Sequence, residues 1–142
     1  MKRIIALIIL VTMLTLTLVG CGKIDVNDSV KALKAKGMRE GATYKSEDDL
    51  KLADELFNAE IERMDGDFTV RIKGYTSLVA NMDFTKTVEF ITFSSKREAE
   101  AYAELWIKSR DKYSDTKIAK SGAVVVITNV EMVEEILEVE FK

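Results

Sequence analysis

The sequence predicts an α+β domain, with an antiparallel sheet of about four strands and helices packed mainly on one face. Three observations carry this. Two pairs of segments alternate apolar and polar residues or run apolar without a break, as strands do. Stretches with apolar residues at three- and four-residue spacing separate or flank those pairs, and most of them open on a capping residue. After residue 67 the order is β-β-α-β-β-α, preceded by two helices, and hairpins interspersed with helices favour an antiparallel sheet.

Taken in order, Asp28 or Ser29 caps a short helix over Val30 to Lys36, closed by Gly37 as a C′ signal. A short strand over Gly41 to Tyr44 comes next. Ser46-Glu47-Asp48-Asp49 is a capping-box start that places carboxylates at the positive end of the helix dipole. Leu50, Ala53, Phe57, Ile61 and Met64, with Leu56 alongside, line the amphipathic helix behind it, which ends at Asp65-Gly66-Asp67. That acidic turn lacks the spacing and terminal glutamate of a calcium loop.

Phe68 to Lys73 alternates as a half-buried strand, Gly74 marks a bulge, and the strand resumes through Leu78. Asn81-Met82-Asp83 turns into the next strand, Thr87 to Phe93. Ser95 to Glu98 is a second capping box, and Ala99, Tyr102, Ala103, Leu105 and Trp106 give its helix one apolar face as far as about Lys112. Ser121-Gly122 joins two more strands, and the run Ala123 to Ile127 fits either a central strand covered on both faces or the best-packed strand of a one-sided sheet. Asn129 caps a last helix with Val133, Ile136, Leu137 and Phe141 in line. Its glutamates form a solvated side.

The N-terminus reads differently. Lys2 and Arg3 precede an uncharged stretch from Ile4 to Gly20, the pattern of a secretory signal. A permanent span needs about 20 apolar residues, so this stretch is marginal as one. Leu18 occupies the −3 position before Cys21, where ordinary signal cleavage wants a small residue. Leu18-Val19-Gly20-Cys21 resembles a bacterial lipobox. The resemblance implies that Cys21 carries a diacylglyceryl thioether and becomes the new N-terminus after cleavage of residues 1–20. The alternative is an uncleaved N-terminal anchor. Two acyl chains give stable anchoring where one gives only marginal binding. The implied organisation is a signal peptide over 1–20, a short lipid-anchored tether over 21–27 and one globular domain over 28–142, on the outer, extracytoplasmic side of the cell membrane.

Composition narrows the chemistry. The chain carries 21 basic and 24 acidic residues with no histidine, no proline and one cysteine. A mildly acidic balance makes the domain a poor candidate for nucleic-acid binding, where a clustered basic surface is expected. Lack of histidine removes the commonest general base, the Ser–His and Cys–His pairs and the commonest zinc ligand. No phosphate loop or dinucleotide fingerprint occurs. Asp48/Asp49 and Glu134/Glu135 are adjacent, so on a helix they diverge. No cofactor or metal is implied.

Two groups of residues invite a binding role. Lys23, Lys31, Lys34, Lys36 and Arg39 form a local basic cluster that can face anionic headgroups, at up to about 1 kcal/mol per residue, or be a plain solvated helix face. Tyr75, beside Gly74 in a bend, is the aromatic expected to be exposed, whereas Tyr102 and Trp106 share a helix face as a core stripe does. Ala35-Lys36-Gly37-Met38 and Lys120 to Val125 also resemble small uncharacterised lipid-anchored α+β domains of Gram-positive bacteria, a similarity that implies no activity. The sequence thus points to a non-catalytic interaction module whose partners are the bilayer, through acylated Cys21, and an envelope protein or cell-wall component. The alternative is a small envelope hydrolase or carbohydrate-active enzyme using carboxylates. A concave pocket with converging buried carboxylates would favour the enzyme; a flat face or open sheet edge would favour the module.

Overall fold

The computed structural model describes residues 23–112 and 114–142. Its elements are α1 (Val26–Ala35), β1 (Met38–Tyr44), α2 (Glu47–Arg63), β2 (Ile72–Ala80), β3 (Thr87–Phe93), α3 (Lys96–Ser109), β4 (Lys117–Ser121), β5 (Val124–Thr128) and α4 (Met132–Leu137). The strands form one antiparallel sheet in the order β1-β2-β3-β5-β4. The α+β class holds, with five strands rather than about four, because β1 pairs with β2 on both sides of an irregularity between Glu40 and Thr43.

The sheet has two apolar faces, and each face has its own core. Ile91 and Phe93 of β3 and Val125 and Ile127 of β5 pack with Ala53, Ile61, Ala99, Tyr102 and Ala103 beneath α2 and α3. Val88, Phe90 and Val126 point the other way, against Leu33 of α1 and Val133 of α4, with Ile24, Met38 and Leu78. The long helices therefore share one face, as expected, while the short α1 and α4 cover the other. β5, like β3, is covered on both sides, which explains its unbroken apolar run. Both cores close among residues between Ile24 and Phe141.

The start of the domain lies earlier than the sequence suggests. Asp25, not Asp28 or Ser29, caps α1, accepting from Asp28 N at 3.0 Å, and Ile24 is already buried. Residues 24–27 are thus part of the globule rather than a tether. Ser29 is buried, and its hydroxyl donates to the Asp25 carbonyl at 2.6 Å. Gly37 closes the helix at φ +96, a conformation that only glycine adopts freely.

Ser46 and Ser95 cap α2 and α3 as read from the sequence, accepting from Asp49 N and Glu98 N at 3.2 Å each. The alternating stretch Phe68 to Arg71 precedes β2 rather than belonging to it, and α2 holds much of its backbone, while Arg71 O accepts from Ser94 N at 2.8 Å. Asn58 accepts from Val70 N at 2.8 Å and donates to Val70 O at 2.9 Å, and Asp54 accepts from Ile72 N at 2.5 Å. Gly66 allows this return, since a Cβ there would come within 2.6 Å of both Ile61 and Leu105. The expected irregularity at Gly74 is present as a register shift between Ile72 and Gly74.

Three further boundaries move. The β4–β5 turn consists of Gly122 and Ala123, because Ser121 pairs with Val124. α3 stops at Ser109, short of Lys112. The last helix has 6 residues and ends at Glu138 in the left-handed region, leaving Phe141 in an extended tail. Lys142 in that tail exchanges backbone hydrogen bonds with Ile118 on the outer side of β4. Asn129 does not cap α4. It accepts from Thr87 N at 2.9 Å and donates to Thr85 O at 2.8 Å, tying two loops together.

Candidate interaction surface

The lipobox residues Leu18, Val19, Gly20 and Cys21 lie outside the described residues. What is described is where the chain enters the fold. Ile24 N donates to Ser121 Oγ at 3.2 Å, so the domain begins beside the β4–β5 turn, at one end of the sheet. From there α1 crosses to the opposite edge and the opposite end, where Met38 opens β1 by pairing with Ala80. No helix among the described residues is long and apolar enough to cross a membrane.

That diagonal decides the fate of the basic cluster. Lys23 sits at the entry corner and Arg39, opposite Val79, at the other. Lys31, Lys34 and Lys36 are strung between them along a helix about 15 Å long. All five are exposed, yet they form a line rather than one patch. Lys34 is paired with Glu40, and this ammonium, with the Thr43 hydroxyl, holds the Glu40 carboxyl below its usual range.

Tyr75 is not the exposed platform expected from its bend. It lies half-buried on the α2/α3 face, because the irregularity at Gly74 turns its ring inward. The ring stacks on Tyr44 with centroids 5.1 Å apart and meets Phe57 at 6.0 Å. Phe57, Phe93 and Tyr102 continue the seam at 5.2 to 6.3 Å. Its polar tips are satisfied within the fold: Tyr75 donates to Glu89 at 2.5 Å and Tyr102 to Glu60 at 3.1 Å. Burial, reinforced by these carboxylates, pushes both phenols well above their ordinary value, so they act as neutral donors. Trp106 packs beside the same core, with the Arg110 guanidinium 5.6 Å from its ring.

Of the three clefts that carry carboxylates, two also hold lysines. One, of about 510 Å³, lies at the far end of the sheet and holds Lys86, Asp115, Lys117, Asn129 and Glu134. The other, about 520 Å³, runs between α3, β4 and the C-terminal tail and includes Glu100 and Lys120. Three of their acids are matched with lysines: Lys86 reaches Asp115 at 3.2 Å, Lys117 pairs with Glu134, and Lys120 reaches Glu100 at 3.2 Å, whereas Glu131, Glu104, Glu138 and Glu140 are exposed. Lys120 also lowers the Glu100 carboxyl. Asp115 retains 69% side-chain exposure. These acids are exposed or ion-paired rather than two buried carboxyls with separated proton affinities, which acid–base hydrolysis requires. No group of three or more acidic or cysteine side chains among the described residues is placed to hold a metal.

What the fold leaves unspent is apolar surface. The large hydrophobic side chains exposed among the described residues are Leu52 (49%), Leu56 (54%), Met82 (92%) and Phe84 (74%). Met82 and Phe84 project from the β2–β3 connection, which is tightly made. Asp83 Oδ1 accepts from Thr85 N at 3.0 Å and from the Thr85 hydroxyl at 2.6 Å, and Ala80 N donates to Lys86 O at 2.9 Å. Asn129 holds Thr85 from the side. The loop therefore presents its two apolar residues on a built support. Leu52 and Leu56 are one helical turn apart on the outer side of α2.

Sequence reasoning passed over both patches. Met82 counted only as part of a turn, and Leu56 only as a companion of the buried stripe. The signal was there: apolar residues on either side of a turn aspartate, and a second helical stripe offset from the first. Comparison with protein-family models, with the curated proteins and with the solved structures gives no match.

Proposed function

We propose that this chain is a lipid-anchored interaction module, held by acylated Cys21 at the extracytoplasmic side of the cell membrane, that binds another envelope component without catalysing a reaction on it. The Leu18-Val19-Gly20-Cys21 pattern supports the anchor. The preformed, exposed Met82/Phe84 tip carries the binding half of the reading. Soluble proteins rarely spend two large apolar side chains on a hairpin tip unless something covers them. The exposed or ion-paired state of the cleft carboxylates favours a binding surface over a hydrolytic site.

The two halves have separate tests. Fatty-acid labelling in cells is expected to disappear in Cys21→Ala, with the precursor left uncut before residue 21. Labelling that persists in that variant ends the anchor. A photo-crosslinking residue at position 84 is expected to give a discrete crosslinked product, absent when the same residue is placed at exposed Lys112. Equal, diffuse labelling from both positions removes the tip as a binding surface.

A further inference from the structure

We propose that the partner of the hairpin tip is a second copy of this chain, with Met82 and Phe84 of one copy seated on the outer stripe of α2 of the other. The inference rests on the exposed surfaces of the module described above and not on its lipid anchor. The four large apolar side chains left exposed fall into two patches of opposite electrostatic character. The pairing of Met38 with Ala80 places Lys36 and Arg39 at the same end of the sheet as the tip, and neither is in an ion pair among the described residues. Around Leu52 and Leu56 stand Asp48, Asp49, Glu55 and Glu62 against Lys51 and Arg63, a net negative collar with none of these in an ion pair among the described residues. Apolar side chains flanked by cations thus meet apolar side chains flanked by carboxylates, the arrangement that selects a partner and its register.

The remaining charges fit the same occupant. Asp83 lies between Met82 and Phe84 and needs a cation opposite it. Arg63, which follows Leu52, Leu56 and Ala59 at helical spacing on the outer side of α2, supplies one. An anionic lipid surface supplies none, and would repel the Asp83 carboxylate that must descend with the two apolar side chains. The tip loop is already fixed by Asp83, Thr85 and Asn129, so little freedom is lost on docking. The contact joins two different patches. It therefore closes into a dimer if the copies reciprocate, and otherwise extends head to tail.

Residues 23–142 suffice for the test, because both cores close within them. Sedimentation of this domain over a concentration series is expected to show reversible association that weakens with added salt. Phe84→Ser and Leu56→Ser are each expected to weaken it about tenfold or more, with unchanged circular dichroism. An equimolar mixture of the two variants is expected to associate again, since each supplies the patch that the other lacks. A domain that stays monomeric at every concentration overturns the proposal, as does a mixture no more associated than its components. So does monomeric protein whose Phe84→Trp fluorescence shifts to the blue on anionic vesicles. None of these outcomes depends on acylation of Cys21, so the anchor and the self-contact fail separately.

Discussion

The two faces of the sheet solve the same burial problem by different means. Beneath α2 and α3, helices of 17 and 14 residues with serine caps press five aromatic rings into a seam and satisfy two tyrosine hydroxyls with carboxylates. Beneath α1 and α4, helices of 10 and 6 residues cover an almost wholly aliphatic core, and α4 has no side-chain cap. The aromatic face is held by directional contacts between well-formed helices. The aliphatic face is held by the sheet it covers, since a helix of two turns is not stable alone. Damage should therefore be less forgiving on the first face than on the second.

The largest expected effect is Phe93→Ala, which empties the middle of the seam next to Phe57 and Tyr102. Urea unfolding should register a loss of about 3–5 kcal/mol. Leu33→Ala removes a fully buried side chain from the other face and should cost about 2–3 kcal/mol, at the low end for such changes, because the short helix can settle onto the sheet. A Leu33→Ala loss equal to that of Phe93→Ala would undo the contrast. Gly66→Ala forces a methyl against Ile61 and Leu105 and should cost about 1–3 kcal/mol, read in the same assay.

The smallest effect at neutral pH sharpens the comparison most. Tyr102→Phe keeps the ring and deletes the bond to Glu60, for about 1 kcal/mol. Its pH dependence has a definite sign. Both Tyr75 and Tyr102 are raised above their ordinary value of 10.0, so the folded state holds their protons more tightly than the unfolded chain. The stability they contribute is complete below pH 10 and falls as pH rises above it. Unfolding measured from pH 8 to pH 11 should show a decline that Tyr75→Phe and Tyr102→Phe together flatten. A decline of the same size in the double variant would mean that the seam tyrosines are not its source.

Local signals in the sequence gave the elements whose causes are local. Thr87–Phe93 is the strand its alternation describes, and Ser46 and Ser95 cap the helices that follow them. Alternation reports which residues are buried, not what lies beside the backbone. Phe68 to Arg71 was therefore readable as extended but not as clamped by Asn58. Asn129 misled for a similar reason. Its side chain reaches residues more than 40 positions away, and no local pattern encodes that. Tyr75 was read as exposed because its inward aim depends on a register shift at Gly74 whose size follows from pairing with β3. The interaction surface was the least legible part. Exposure of Met82 or Leu56 is decided by which elements fail to cover them, and that is known only once all the others are in place.

The two borders of the sheet have a consequence for life at high local density. β1 breaks its ladder between Glu40 and Thr43, and the Ala42 amide is drawn inward to Ser77 Oγ at 2.8 Å. β4 has Lys142 zipped to Ile118 along its rim. Neither margin offers an incoming strand a run of vacant amides, the template on which amyloid grows. Among the described residues the sheet therefore offers crowded copies no ready-made edge on which a fibre would grow, which leaves their contacts to side chains.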